Sequence, residues 1–152
     1  MHMIVELGLA TLLVLATVAM HGFGLLLLAQ MVRHIEPPSQ VGRFTIVSLR
    51  GALLAMAIVL GLFVTHGLEI WLYANVFHAI GAIPDLREAV YFSTSSYAAI
   101  GYGDDIIAEK WKLLGAIEGV NGVILLGWSV AFFVTAMTRL LPPTHHKERS
   151  SR

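Results

Sequence analysis

Three long apolar stretches set the terms for everything else in this 152-residue chain. A helix rising about 1.5 Å per residue needs about 20 mainly apolar residues to cross the hydrocarbon of a bilayer. Roughly residues 4–32, 44–73 and 113–140 each meet that length, the first interrupted mainly by Thr11, Thr17 and His21. The rest of the composition agrees: 57% of the residues are hydrophobic, 13% are charged, and the mean hydropathy is +0.75, far from the balance of a soluble domain. The sequence therefore predicts an all-α membrane protein with three transmembrane helices. The first stretch is too long for the apolar centre of a secretory signal and has no Lys or Arg before it, so it is expected to be retained. A formal net charge of zero offers no basic face to nucleic acid, and the lack of cysteine excludes disulfides and thiolate metal sites.

Lys and Arg placement predicts the orientation. Arg33, Arg43 and Arg50 flank the connection between the first two stretches, and Arg139, Lys147, Arg149 and Arg152 come after the third. Arg87, Lys110 and Lys112 fall on the opposite side. The richer side is assigned to the cytoplasm, which puts the N-terminus outside and the C-terminus inside a cell (inner) membrane. Trp71, Tyr73 and Trp111 fit an outer aromatic belt, Asn75 and His78 fall in an outer loop, and the Glu36-Pro37-Pro38-Ser39-Gln40 run breaks the helix on the inner side. Pro142 and Pro143 end the last helix before a polar tail containing His145 and His146.

The interval between the second and third stretches is too short and too polar for another span plus its loops. Asp85 is placed to cap a helix start, with Glu88 three residues on as the second half of a capping-box-like pair. The helix expected over roughly residues 86–98 is about 20 Å long, so it enters the membrane only partway. Irregular backbone at that depth is tolerated where it lines a water-filled cavity or is enclosed by protein. The chain continues from this helix into Ala99-Ile100-Gly101-Tyr102-Gly103-Asp104. Glycines at alternate positions open backbone angles closed to other residues, which lets successive carbonyls face one axis and replace the water around a dehydrated cation. The helix C-terminus contributes partial negative charge at the same place.

This run resembles the potassium-channel pore loop, T-V-G-Y-G-D in its usual form, with Ile for Val and Ala for the leading Thr. The resemblance implies an architecture like that of small bacterial ion-channel proteins with a single pore domain. A re-entrant pore helix and a selectivity filter lie between the second and third transmembrane helices, and four identical chains close one pore. The filter carbonyls of Ala99, Ile100, Gly101, Tyr102 and Gly103 would bind potassium ions. Tyr91 and Phe92 would form an aromatic cuff, Asp104 would steady the outer mouth, and Gly122 or else Gly127 would be a hinge, although small residues at such spacing more often permit close helix packing. The implied layout is an additional N-terminal helix and cytoplasmic turn over 1–43, a pore domain over 44–141 and a cytoplasmic tail over 142–152. No enzymatic activity and no cofactor are implied, and the partners are three further copies and membrane lipids. Ala98 and Ala99 stand where the family usually has two threonines, which removes the hydroxyl ring of the innermost ion site. A weakly selective monovalent cation channel is the alternative. The family's proline shortly after the aspartate is also missing, since Asp105-Ile106-Ile107 stands there.

Ionisable groups within spans are costly and usually find partners. His66 and Glu69 lie three apart on one helical face, and Glu118 lies about two turns into the third span. All three are expected near filter depth, bonded to Ser95, Ser96 or Tyr97 as a support behind the pore helix. A sharper reading makes His66 a proton sensor. His66-x-x-Glu69 is also half of a metal-binding spacing, so a reading of another class is an intramembrane metal-binding protein built on His66, Glu69 and Glu118. His21 and Asn121 are expected at helix contacts. Arg43 and Arg50 are too few for a voltage sensor.

Overall fold

The structure, a computed structural model, describes residues 2–35, 49–101, 103 and 105–139. The expected inner turn with Arg43, the polar tail, Tyr102 and Asp104 lie outside the described residues. In chain order the elements are α1 (His2–Ile35), α2 (Leu49–Ala79), α3 (Leu86–Tyr97) and α4 (Lys112–Arg139), the last preceded by a 3₁₀ turn at Glu109–Trp111. α1, α2 and the segment containing α4 are long and apolar enough to cross a membrane. α3 is not: its 12 residues span about 18 Å.

Asp85 starts α3 as the sequence predicts, in extended conformation with its carboxylate accepting from the Glu88 N–H at 2.9 Å. The end of α2 lies further along than expected. The helix continues to Ala79, so Asn75 and His78 sit in its last turns rather than in a loop. A Schellman-type stop ends it, with Gly81 at φ +67, its N–H on the His78 carbonyl at 3.1 Å and the Ala82 N–H on the Phe77 carbonyl at 2.9 Å. The extension places Tyr73 and Phe77 in the core, each fully buried. Tyr73 is thus a packing residue and no part of an interfacial belt, because its face of α2 looks toward α1 and α4. Trp71 is exposed, and Trp111 is buried with its ring edge-on to His2 at 5.4 Å.

α1 packs against both α2 and α4 of its own chain, while α3 packs against α2 and α4 on another side. One apolar cluster, including Leu13, Phe77, Ile83, Phe92 and Leu114, fills the end of the bundle around α3, with Phe77 and Phe92 edge to face at 5.4 Å. A second cluster of Val32, Leu54, Ile58 and Ala136 closes the other end. Between them runs a belt of buried polar side chains.

α1 also secures the start of α4. Buried Glu6 accepts a hydrogen bond from the Leu114 N–H at 3.0 Å, satisfying a donor that a helix N-terminus cannot pair internally and setting negative charge against its positive end. Glu6→Ala is expected to cost about 1 kcal/mol, read as a lower thermal midpoint in detergent.

Candidate functional site

Both ends of α3 are tied down, and the chain leaving it has an unusual backbone. The Ala98 N–H bonds to the Thr94 carbonyl at 3.2 Å, Ala99 to Ser96 at 2.8 Å and Ile100 to Ser95 at 2.9 Å. Ala99 then adopts φ +55, Gly101 φ +77 and Gly103 φ +110, while Ile100 keeps negative φ. A left-handed alanine costs about 1 kcal/mol, and such strain persists only where the surroundings over-determine it. The Gly103 carbonyl accepts from the Ile106 N–H at 2.8 Å, and the Ala108 N–H returns to the Ala82 carbonyl at 3.0 Å, so the segment's exit is pinned to its entrance.

Small residues of α4 admit α3. A Cβ added at Gly115 would stand 2.7 Å from the Phe92 ring, and one at Gly119 3.1 Å from the Ser96 carbonyl. At Gly122 it would overlap the Tyr97 carbonyl, whereas at Gly127 nothing lies within 4 Å. Gly122 is therefore a close-approach position. Ser96 reinforces the contact through its hydroxyl, which donates to the Gly115 carbonyl at 2.6 Å.

Apart from Glu6, the buried ionisable residues among those described divide into two groups, a division the sequence spacing does not reveal. Glu118, fully buried, pairs with the hydroxyl of Ser93, which also donates to the Ile70 carbonyl at 3.0 Å. Next to it along α4, Asn121 donates to Thr17 at 2.8 Å and to Tyr73 at 3.3 Å, joining α4 to α1 and α2. The other group surrounds Glu69, also fully buried. His21 Nδ1 lies 3.0 Å from Glu69 Oε1, and His66 Nδ1 lies 3.3 Å from Oε2. The Tyr97 hydroxyl donates to Oε2 and is 2.9 Å from His66 Nδ1. Ser129 Oγ stands 2.9 Å from His66 Nε2 and 3.3 Å from His21 Nε2. α1, α2 and α3 thus meet at one carboxylate, and α4 joins them through Ser129 on the two histidines.

His66, Glu69 and Tyr97 come together as expected, but Glu118 does not join them, so a metal scaffold built on His66, Glu69 and Glu118 is not what the fold assembles. Its third member is His21, whose ligand atom lies within 4.8 Å of those of the other two. Of the expected aromatic pair, Phe92 is buried against Phe77 and Tyr91 is exposed on this chain. Ser95 contributes its carbonyl, which accepts from Ile100 and, at 3.4 Å, from Gly101. His21 stands at a helix contact as expected, with Glu69 as the partner, while Ser93, Ser129, Thr17 and Glu6 are the residues that sequence reasoning leaves out. An ionisable residue inside an apolar stretch is the only signal that marks His21 and Glu6, and it names no partner.

A family model described as ion channel matches residues 56–139, covering most of α2 and all of α3 and α4. Comparison with curated proteins and with solved structures gives no match. With more than half of its length matched and three helices able to span a bilayer, this chain is a multi-pass membrane protein that belongs to the ion-channel family.

Proposed function

We propose that the chain is one subunit of a homotetrameric potassium channel, passing ions down their gradient through a filter made by the carbonyls of residues 99–103. The observation that carries this reading is the left-handed backbone at Ala99 and Gly101, and again at Gly103, directly after a half-length helix. A peptide that changes hand at alternate residues turns successive carbonyls to the same side, which is what a row of cation sites requires. The α3 C-terminus adds its negative dipole end beside them. In this reading α3 is the re-entrant pore helix, α2 and α4 are the outer and inner helices, and Tyr91 is left exposed for a neighbouring subunit. The Lys and Arg asymmetry supports an outward N-terminus and a cytoplasmic C-terminus in the cell membrane.

Purified protein in liposomes is expected to give barium-sensitive potassium flux. Gly101→Ala is expected to abolish it, because φ +77 is strained for any residue with a Cβ. Protein that behaves as a single subunit and carries no flux would end the proposal. A second reading, a weakly selective monovalent cation channel, is favoured by the missing hydroxyl at Ala99. Bi-ionic reversal potentials in potassium and sodium separate the two.

A further inference from the structure

Counted with both imidazoles neutral, the polar centre around Glu69 has one hydrogen fewer than it has hydrogen-bond contacts. Neutral His21 and His66 bring one ring hydrogen each, and Ser129 and Tyr97 bring one hydroxyl hydrogen each. These four hydrogens face five contacts: His21 with Glu69, Tyr97 with Glu69, His66 Nδ1 with Tyr97, His66 Nε2 with Ser129, and Ser129 with His21 Nε2. Lone pair therefore meets lone pair somewhere unless a further cation, a proton or a metal ion, enters.

The geometry points to a metal ion: we propose that His21 Nδ1, His66 Nδ1, Glu69 and the Tyr97 oxygen form a transition-metal site of the zinc class inside the helix bundle. Bonds of about 2.0–2.1 Å in a tetrahedron separate neighbouring ligand atoms by about 3.3 Å. The separations here are 3.0 Å from His21 Nδ1 to Glu69 Oε1, 3.3 Å from His66 Nδ1 to Glu69 Oε2 and 2.9 Å from His66 Nδ1 to the Tyr97 oxygen, so the distances fit once the carboxylate turns to offer one oxygen to an ion that both histidines reach. The outer shell is also in place. Once both Nδ1 atoms ligate, both Nε2 atoms carry hydrogens, and both point at Ser129 Oγ, whose two lone pairs accept them. Two imidazoles, a carboxylate and a phenolate oxygen, whose proton is released to water as the divalent ion binds, suit zinc better than magnesium or calcium, which prefer all-oxygen shells.

The site borders open space on the His66 side, where a cleft of about 540 Å³ is lined by His66, Tyr97 and Ser129 among apolar residues that include Leu62 and Phe133. His21 comes from α1, outside the residues that the ion-channel family model matches, so the site belongs to this chain's additional helix combined with the family core. An ion there would tether α1 and α2 to Tyr97, two residues before left-handed Ala99.

The test uses the full chain in detergent, stripped with a chelator and dialysed, on a His145→Ala/His146→Ala background so that the adjacent tail histidines cannot take up the same ion. Cobalt titration is expected to saturate at one ion per chain, with the intense visible absorption of tetrahedral coordination, and zinc should displace it. His21→Gln is expected to weaken binding at least tenfold, and Ser129→Ala, which removes only the outer-shell acceptor, about tenfold to a hundredfold. Gel filtration and circular dichroism check that each variant is folded. Wild-type protein with no saturable tetrahedral band would overturn the proposal and leave a proton as the missing cation. So would affinity unchanged in a folded His21→Gln variant. Because no flux enters the readout, failure here is distinguishable from failure of the channel reading.

Discussion

Gly122→Ala is expected to prevent the native docking of α3 on α4, giving protein that aggregates in detergent or unfolds far below the wild type. The added methyl group falls on the Tyr97 carbonyl, and the nearest atoms after it are the carbonyl carbon and the tyrosine ring. None of these can swing aside. Tyr97 is fully buried, its hydroxyl is held by Glu69 and His66, and its backbone lies in the last turn of α3. Overpacking a rigid contact costs about 1–3 kcal/mol and sometimes more, and a clash with backbone belongs at the top of that range. Gly127→Ala is the control: its Cβ meets nothing within 4 Å, and alanine's better helix propensity makes it neutral to slightly stabilising, by about 0.5–1 kcal/mol. Thermal midpoints and gel-filtration profiles of the two variants provide the measurement. A hinge at Gly122 gives a different pattern, with Gly122→Ala folding normally and changing only channel opening. Normal stability of that variant would refute the packing assignment.

The sequence shows most plainly what depends on local chemistry. Long apolar runs, the Asp85 cap and the half-length of α3 arise from hydropathy and hydrogen-bonding rules acting within a few residues, and the structure repeats them. The left-handed turns at Gly101 and Gly103 are equally local, since glycine is the residue that takes such angles without penalty. Ala99 at φ +55 is not legible that way. Its angle is imposed by the bonds from Ala99 and Ile100 back to the end of α3. The end of α2 is readable from Gly81, yet the aromatic pattern around Tyr73 also fits an interfacial belt, and only the packing of α1 and α4 decides between core and surface. The polar centre is the least legible part. His21 and Glu69 are 48 positions apart, and Glu6 and Leu114 are 108 apart. Three nearly uniformly apolar helices give no moment strong enough to say which faces meet. The sequence therefore groups Glu118 with His66 and Glu69 by depth, while rotation about the helix axes sends it to Ser93.

Glu69→Leu is expected to produce the largest loss of stability of any side-chain truncation in the polar belt. Its carboxylate faces Tyr97, His21 and His66 with no water-accessible surface of its own. Leucine fills a similar volume but leaves a phenol hydrogen and imidazole groups buried without their acceptor. Each orphaned donor costs about 1–3 kcal/mol, and removing one member of a buried charged cluster typically costs about 3–5 kcal/mol. Glu69→Gln retains an acceptor oxygen and the shape, so its loss is expected to be about half as large. The measurement is thermal unfolding in detergent with excess chelator, so that any metal contribution is removed from the comparison. The decisive variant is the double replacement Glu69→Leu/Tyr97→Phe. Deleting the stranded hydroxyl removes a penalty created by the first substitution, so the double variant should be less destabilised than the sum of the two single losses, by about 1 kcal/mol or more. Strict additivity would mean that Tyr97 and Glu69 are not energetically coupled, and the carboxylate would then not be what fixes the end of α3 in front of Ala99.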